Sequence, residues 1–176
     1  MAKVIAACFL IGLVLTALFL VIFFSPPQFP CVTLVSLNVS RLNFTTARIS
    51  GYVDMQFQVI NGNMLTDFSY DDVYCSMYRG KRLLASTMFP AFSQRAWETK
   101  PINFTVYLTP LTRAREVGKD PYALEEFDVK LVTFIKWRFG SSKSVMFSCD
   151  EVPVGLVLTT PGHGKMIGPA RNCEVC

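Results

Sequence analysis

The sequence predicts an all-β domain, an immunoglobulin- or fibronectin-III-like antiparallel β-sandwich, preceded by one N-terminal transmembrane helix. Three observations predict this class. A single uncharged apolar block stands at the N-terminus, short runs of alternating apolar and polar residues fill the rest of the chain, and turn-forming residues separate the runs. Seven or eight such runs at this spacing are typical of a sandwich. The chain of 176 residues has room for one anchor and one domain of about 150 residues.

The N-terminal block, residues 4–24, reads VIAACFLIGLVLTALFLVIFF, which is 21 residues without a charge. A helix of that length spans roughly 30 Å, the hydrocarbon thickness of a bilayer. The alternative is a cleaved signal peptide, whose apolar core is usually about 7 to 15 residues long and ends at a small-x-small site. Here the block is longer and runs through Phe23 and Phe24 into Ser25, Pro26 and Pro27. This favours an uncleaved signal anchor.

Charge at the flanks of the block predicts its orientation. Lys3 is the only charged residue before Arg41, so the positive-inside rule leaves the N-terminus in the cytosol. The predicted organisation is a short cytosolic tail (1–3), the transmembrane anchor (4–24), a linker (25–31) and an extracellular or lumenal β-sandwich domain (32–176).

The strands are predicted from period-2 alternation and from turn residues. In residues 50–60 the alternation places Val53, Met55, Phe57 and Val59 on one face, and Asn61-Gly62-Asn63 ends the run. The full set of predicted strands is 32–44, 50–60, 72–77 and 83–89 as a hairpin around Gly80, 102–108, 128–139 and 145–149. We expect 111–127 to be irregular or helical, with Asp120-Pro121 as a helix start, and the glycine-rich stretch 161–169 to be a loop.

Composition argues against nucleic-acid binding. The net charge is +4, and without Lys3 the domain carries 16 basic and 13 acidic residues. An excess this small, scattered along the chain, does not form the basic patch that nucleic acid requires.

Three sequons fit N-x-[ST] with x other than proline: Asn38-Val39-Ser40, Asn43-Phe44-Thr45 and Asn103-Phe104-Thr105. Each alone is equally consistent with a polar residue in a strand or turn. Together they favour passage through the secretory pathway and predict glycosylation at Asn38, Asn43 and Asn103.

Of the six cysteines, Cys8 lies in the anchor and five lie in the domain. Five is an odd number, so at least one is free or paired between chains, and disulfide formation is the expected use of the others in an oxidising compartment. Cys173 and Cys176 form a C-x-x-C pair, but no helix follows it to lower a thiol pKa, which disfavours a redox motif. With one histidine in the chain, we expect no metal site.

An enzyme with this topology, such as a glycosyltransferase, would need more chain and usually a D-x-D metal site, which the sequence lacks. His163 is the only histidine, so a Ser-His-Asp triad is disfavoured. The adjacent acidic pairs Asp71-Asp72 and Glu125-Glu126 are typical of solvated strand edges. We therefore predict no enzyme activity, no catalytic residues and no cofactor.

The order of several motifs resembles the plant late-embryogenesis-abundant hydroxyproline-rich glycoprotein family, the harpin-induced or disease-resistance-like proteins with a water-stress and hypersensitive-response domain. The resemblance rests on these features in order: the anchor, 37–43, the stretch Phe57 to Asn63 that is similar to a strand ending in N-P-N, Phe68-Ser69-Tyr70, Tyr78-Arg79-Gly80, Val129 to Gly140, Lys143-Ser144, Cys149-Asp150 and Cys173-Glu174-Val175. Gly62 stands where the family usually has proline.

The resemblance implies a non-enzymatic type II glycoprotein of the plasma membrane, or alternatively of the endoplasmic reticulum membrane, involved in plant defence or stress response. It implies a disulfide between Cys149 and Cys173, and a protein partner or wall component outside the cytosol in addition to the lipid bilayer around 4–24. An alternative function is a lipid-binding or membrane-contact sandwich, suggested by Phe89, Phe92 and Phe104 near Trp97. The oligomeric state is not predicted.

Overall fold

A computed structural model describes residues 2–24, 27–45, 48–112, 122–137, 141–157 and 162–175. Side chains are described for these residues except 2–8, 22–24, 43–45, 48–49 and 109–112.

The N-terminal block forms one α-helix, α1, over Ala2–Phe24. Its described side chains, residues 9–21, are all exposed. Among the described residues, no helix reaches the length and hydropathy that a membrane span requires.

The rest of the described chain is all-β, as predicted, and its strands pair antiparallel. The strands are β1 (Cys31–Thr45), β2 (Arg48–Ile60), β3 (Phe68–Tyr70), β4 (Val73–Arg79), β5 (Arg82–Phe89), β6 (Phe92–Gln94), β7 (Thr99–Thr112), β8 (Tyr122–Lys136), β9 (Ser142–Val157), β10 (Gly162–Met166) and β11 (Arg171–Val175).

Hydrogen bonds link the strands in the order β5-β4-β8-β9-β10-β1-β2-β7, with β11 beside both β1 and β9 and with β3 between β6 and β8. The path curls around a single hydrophobic core, because its two terminal strands lie beside each other. The rings of Phe89 in β5 and Phe104 in β7 meet edge to face at 5.9 Å between centroids. The core is therefore shared by both halves of the path, β5-β4-β8-β9 and β10-β1-β2-β7.

The alternation predicted for 50–60 is confirmed. Val53, Met55, Phe57 and Val59 of β2 are buried, while the intervening residues are exposed. The predicted hairpin at 72–89 is also confirmed, and Gly80 takes the positive φ of 56° that its turn requires.

The prediction of a loop over 161–169 is wrong for residues 162–166, since Gly162–Met166 forms β10 between β1 and β9, and is confirmed for residues 167–169, which belong to no strand. Close packing explains the glycine. A Cβ on Gly164 would meet a side-chain carbon of Leu156 within clash distance and the carbonyl oxygen of Gly155 at 3.1 Å. Glycine at this position marks a close strand approach, which composition alone does not distinguish from a loop.

The prediction of irregular or helical structure over 111–127 is wrong at both ends of that range. Leu111 pairs with Ile49 in β7, and Tyr122 to Phe127 pair with β9. Backbone pairing with long neighbouring strands determined these segments, which local pattern does not reveal. Asp120 and Pro121, the predicted helix start, lie outside the described residues.

Candidate functional site

Two of the predicted glycosylation sites lie together on one outer face. Asn38 of β1 is in register with Asp54 of β2, which is in register with Thr105 of β7. Asn103 lies on the same side of β7, opposite Gln56. Both sequon asparagines are exposed. We call the outer side of β1, β2 and β7 the sequon face.

Polar contacts organise the sequon face. The Thr105 hydroxyl, part of the Asn103 sequon, donates to Asp54 Oδ1 at 2.6 Å. Strands in a sheet are about 4.8 Å apart, so β1 and β7 are separated by about 10 Å across β2. Two glycans on this face would therefore stand close together. The side chain of Asn43 lies outside the described residues.

The disulfide that the family resemblance implied is confirmed. Cys149 of β9 and Cys173 of β11 are bonded, with their Cα atoms 4.4 Å apart. The bond lies next to an irregularity in β9, where Glu151 has a φ of 53°. Arg171 donates to the carbonyl oxygens of Asp150 at 3.1 Å and Glu151 at 2.9 Å, which holds the irregular backbone in place.

The other described cysteines are free. Cys31 is exposed at the start of β1, whereas Cys75 of β4 is buried. Burial raises the pKa of the Cys75 thiol to about 12, so it is protonated and unreactive at neutral pH. Cys8 and Cys176 lie outside the residues whose side chains are described.

The other half of the path has an outer face of different composition. Met88, Tyr74, Val132 and Met146 stand in register across β5, β4, β8 and β9. The first three are between 37% and 53% exposed. We call these four residues the apolar row. Phe134, two residues along β8 from Val132, adds a further exposed apolar side chain on the same side.

Sequence reasoning missed the apolar row, although its signal was present. Residues 128–139 were predicted as a long, strongly apolar strand. In β8, Leu131 and Ile135 are buried while Val132 and Phe134 are exposed, so apolar residues occupy both faces. Isolated exposed apolar residues are ordinary in proteins, but a contiguous row across four strands is typical of an interaction surface.

A third cluster lies where the chain leaves α1 and enters the domain. The Asn63 amide donates to the carbonyl oxygen of Gln28 at 2.8 Å and accepts from the Gln28 N–H at 3.0 Å. Asn61 is fully buried and donates to the carbonyl oxygens of Thr66 at 2.8 Å and Arg95 at 3.0 Å. We call Gln28 with loops 61–67 and 95–98 the linker end. The Asn61-Gly62-Asn63 motif thus fixes the chain that enters β1.

The buried side chain of Gln94 stabilises the linker end through hydrogen bonds. The Tyr70 hydroxyl donates to Gln94 Oε1 at 2.7 Å, and Gln94 Nε2 donates to the carbonyl oxygens of Val59 and Glu98. Burial, and to a lesser extent the charge of Glu98, raises the pKa of Tyr70. Sequence pattern gave no sign that Gln94 would be buried.

The remaining polar motifs lie apart from one another. His163 is exposed in β10 rather than in a loop. Asp71 pairs with Lys136 at 2.7 Å and Glu125 with Arg79 at 2.7 Å, and both are partly exposed ion pairs of small energetic weight. Over the described part of the chain, no group of His, Cys, Asp or Glu side chains is arranged to hold a metal ion.

Comparison with known proteins found no protein-family model that matches the chain and no curated protein that matches it.

Proposed function

We propose that this chain is a non-enzymatic, single-pass type II membrane protein whose outer β-domain binds a partner protein through the apolar row. Residues 4–24 would be the signal anchor, with residues 1–3 in the cytosol and the domain outside. The domain would be an immunoglobulin- or fibronectin-III-like sandwich. By the family resemblance, its setting would be the plasma membrane, with the endoplasmic reticulum membrane as the alternative, and its role would be in plant defence or stress response.

The observation that carries the proposal is the contrast between the two outer faces. The apolar row crosses four strands, about 14 Å between the outermost two, and the outer sides of its strands include no sequon asparagine. The sequon face carries Asn38 and Asn103, where glycans would keep partners away. A docking protein would therefore find a row of four apolar side chains to bury on the first face, whereas the exposed rings of the sequon face, Tyr52 and Tyr107, lie on the same face as the predicted glycans.

The sharpest test places a glycan on the apolar row itself. Tyr74→Asn creates a sequon with Ser76 and would cover the row in a secretory host. The matched control is Tyr74→Asn with Ser76→Ala, which carries the same change at the row but no acceptor.

The readout is photo-crosslinking in intact membranes from a benzophenone side chain placed at Phe134 or, as the control, at Tyr107. Phe134 is 51% exposed and lies on the same outer face as the apolar row. Tyr107 is 49% exposed and lies on the sequon face. We expect one discrete adduct from Phe134 and none from Tyr107, with loss of the adduct only in the glycosylated variant. Equal crosslinking at both positions would contradict the proposal.

Topology needs its own experiment. In a secretory host, we expect endoglycosidase to increase the gel mobility of the full chain, and the protein to stay in the membrane pellet after carbonate extraction. An unglycosylated protein that carbonate releases would contradict both the anchor and the outward-facing domain.

The alternative function was a lipid-binding or membrane-contact domain, suggested by Phe89, Phe92 and Phe104. Packing within the domain accounts for these three rings. Phe104 is buried, and the ring centroid of Phe89 lies 5.9 Å from those of both Phe92 and Phe104. A membrane-contact role is instead supported by Trp97, at the linker end.

A further inference from the structure

Large apolar side chains are exposed at the linker end, away from the core. Met64 in loop 61–67 is 71% exposed, and Trp97 in loop 95–98 is 65% exposed. Leu65 is exposed beside Met64. Exposure of tryptophan to water is unfavourable, because it has the largest apolar surface of any side chain.

The backbone holds Trp97 in this exposed position. Its φ of 59° is uncommon for a residue with a side chain. Hydrogen bonds on both sides of it maintain that conformation: the Ala96 N–H donates to Asp67 Oδ1 at 2.8 Å, and the Arg95 N–H donates to Glu98 Oε2 at 2.6 Å. A strained residue that its neighbours fix in this way suggests a functional position.

The two loops form one unit with the linker. Asn61 bridges loop 61–67 to loop 95–98 through Thr66 and Arg95, and Asn63 binds both backbone groups of Gln28. Gln28 lies four residues after Phe24, the end of α1. Four residues span at most about 14 Å. If α1 spans a bilayer, Gln28 must therefore lie within about 14 Å of the helix end, close to the headgroup layer, which is about 5 to 8 Å thick on each side, and the loops bonded to Gln28 follow it toward that layer.

Basic side chains are exposed at this end, beside two acidic ones. Arg95 and Lys143 are exposed, and Lys143 Nζ lies 4.9 Å from the ring centroid of Phe29 in the linker. The nearby carboxylates of Asp67 and Glu98 accept hydrogen bonds from backbone N–H groups of loop 95–98. Tryptophan and basic side chains together are the usual anchors at a membrane–water interface.

We propose that the linker end docks on the membrane that holds α1, with Trp97 and Met64 entering the headgroup region of the lipid bilayer. The inference rests on the proposed anchor at 4–24 and adds a second membrane contact to it. Docking would fix the tilt of the domain, so that the apolar row and the sequon face both stand to the side, accessible to other proteins.

Fluorescence quenching by lipid tests this inference on the full chain. The chain has two tryptophans, so Trp137→Phe leaves Trp97 as the only one. The protein is reconstituted in vesicles of phosphatidylcholine and phosphatidylglycerol, with or without phosphatidylcholine brominated on the upper part of its acyl chains. The matched control carries Tyr107→Trp with Trp97→Phe and Trp137→Phe, which moves the single tryptophan to the sequon face.

We expect Trp97 to lose most of its emission in brominated vesicles and to emit at shorter wavelength than the control tryptophan, which should be unquenched. Met64→Ser should reduce the quenching of Trp97. Carbonate extraction of the same vesicles distinguishes failure of the docking inference from failure of the proposed anchor. If the protein resists extraction while Trp97 is unquenched, the docking inference is overturned and the anchor stands. If carbonate releases the protein, both fail.

Discussion

The sequon face and the outer face that carries the apolar row are built from the same kind of strand, yet their outward residues differ in chemistry. On the sequon face, Asn38, Asp54 and Thr105 form a row of polar groups across three strands. On the other, Met88, Tyr74, Val132 and Met146 form a row of apolar groups across four strands. Both halves bury apolar residues on their inner sides.

The difference indicates how the domain divides its surface. The polar side chains of Asn38, Asp54 and Thr105 interact well with water, so this row gains little when a partner covers it. Apolar surface exposed to water is unfavourable by about 25 cal/mol per Å², and a contiguous row gains that free energy when a partner covers it. Four experiments would break or sharpen this comparison.

The largest effect is expected at β11, which pairs with β1 of one half of the path and with β9 of the other. The Cys149–Cys173 bond joins β9 to β11 with a sequence separation of 24 residues. Replacing both cysteines by serine should lower the free energy of unfolding by about 3.5 kcal/mol, because the unfolded chain gains loop entropy. Urea unfolding in detergent measures this, with Cys31→Ser as the control. An unchanged midpoint would show that strand pairing alone holds the halves together.

Alkaline pH should weaken the half that carries the apolar row, because Cys75 is buried on its inner side. Burial raises the pKa of Cys75 from 9.0 to about 12, so above pH 9 the thiol ionises in the unfolded chain first. The contribution of Cys75 to the free energy of unfolding is therefore fully present below pH 9. It is lost as the pH rises toward 12, and the loss from this one thiol is about 2.5 kcal/mol at pH 11. Urea midpoints between pH 8 and pH 11 measure the decline.

Cys75→Ala is the matched variant for that experiment. It should be somewhat less stable at pH 8, since a buried sulfur is lost, but its stability should fall less steeply with pH. Equal slopes in the two proteins would mean that Cys75 is accessible to solvent in the folded domain.

The sequon face should tolerate loss of its acceptors. Asn38→Gln and Asn103→Gln should each increase the gel mobility of protein from a secretory host by one glycan. After enzymatic deglycosylation, each should change the free energy of unfolding by less than about 0.5 kcal/mol, because both side chains are exposed. If neither variant changes the mobility, Asn38 and Asn103 are not glycosylated. Glycans would then not distinguish the sequon face from the face that carries the apolar row.

The smallest effect involves no change in stability. Maleimide should label Cys31 of the folded protein and leave Cys75 unlabelled until urea is added, since the first thiol is exposed and the second is buried. Peptide mapping by mass spectrometry distinguishes the two sites. Labelling of Cys75 in native protein would place β4 at the surface and remove the inner side assigned to it.

The parts of the fold that sequence predicted are those with a strong local signal. The burial of Val53, Met55, Phe57 and Val59 follows from period-2 alternation, and the hairpin at Gly80 follows from turn chemistry. The short strands β3 and β6 were not predicted, because three residues carry no measurable period. The Cys149–Cys173 pair came from the family resemblance, since the domain's five cysteines allow several pairings.

The candidate surfaces were less predictable than the fold. The sequons are visible in the sequence, but their placement on one face depends on how β1, β2 and β7 are ordered. The apolar row depends on the register of four strands, which turn geometry and the shared core determine together. Gly164 shows the same limit, since glycine favours a loop locally and permits close strand packing globally.

By itself, the sequence determined the all-β class, the apolar N-terminal block and the residues that face inward on its clearest strand, because periodicity and turn chemistry act over a few neighbouring residues. Only the tertiary structure decided that β10 is a strand, that Asn61 and Asn63 hold the linker, and that Tyr74 and Val132 lie side by side. These features depend on pairs of residues far apart in the chain, and their contact depends on strand order and register rather than on local composition.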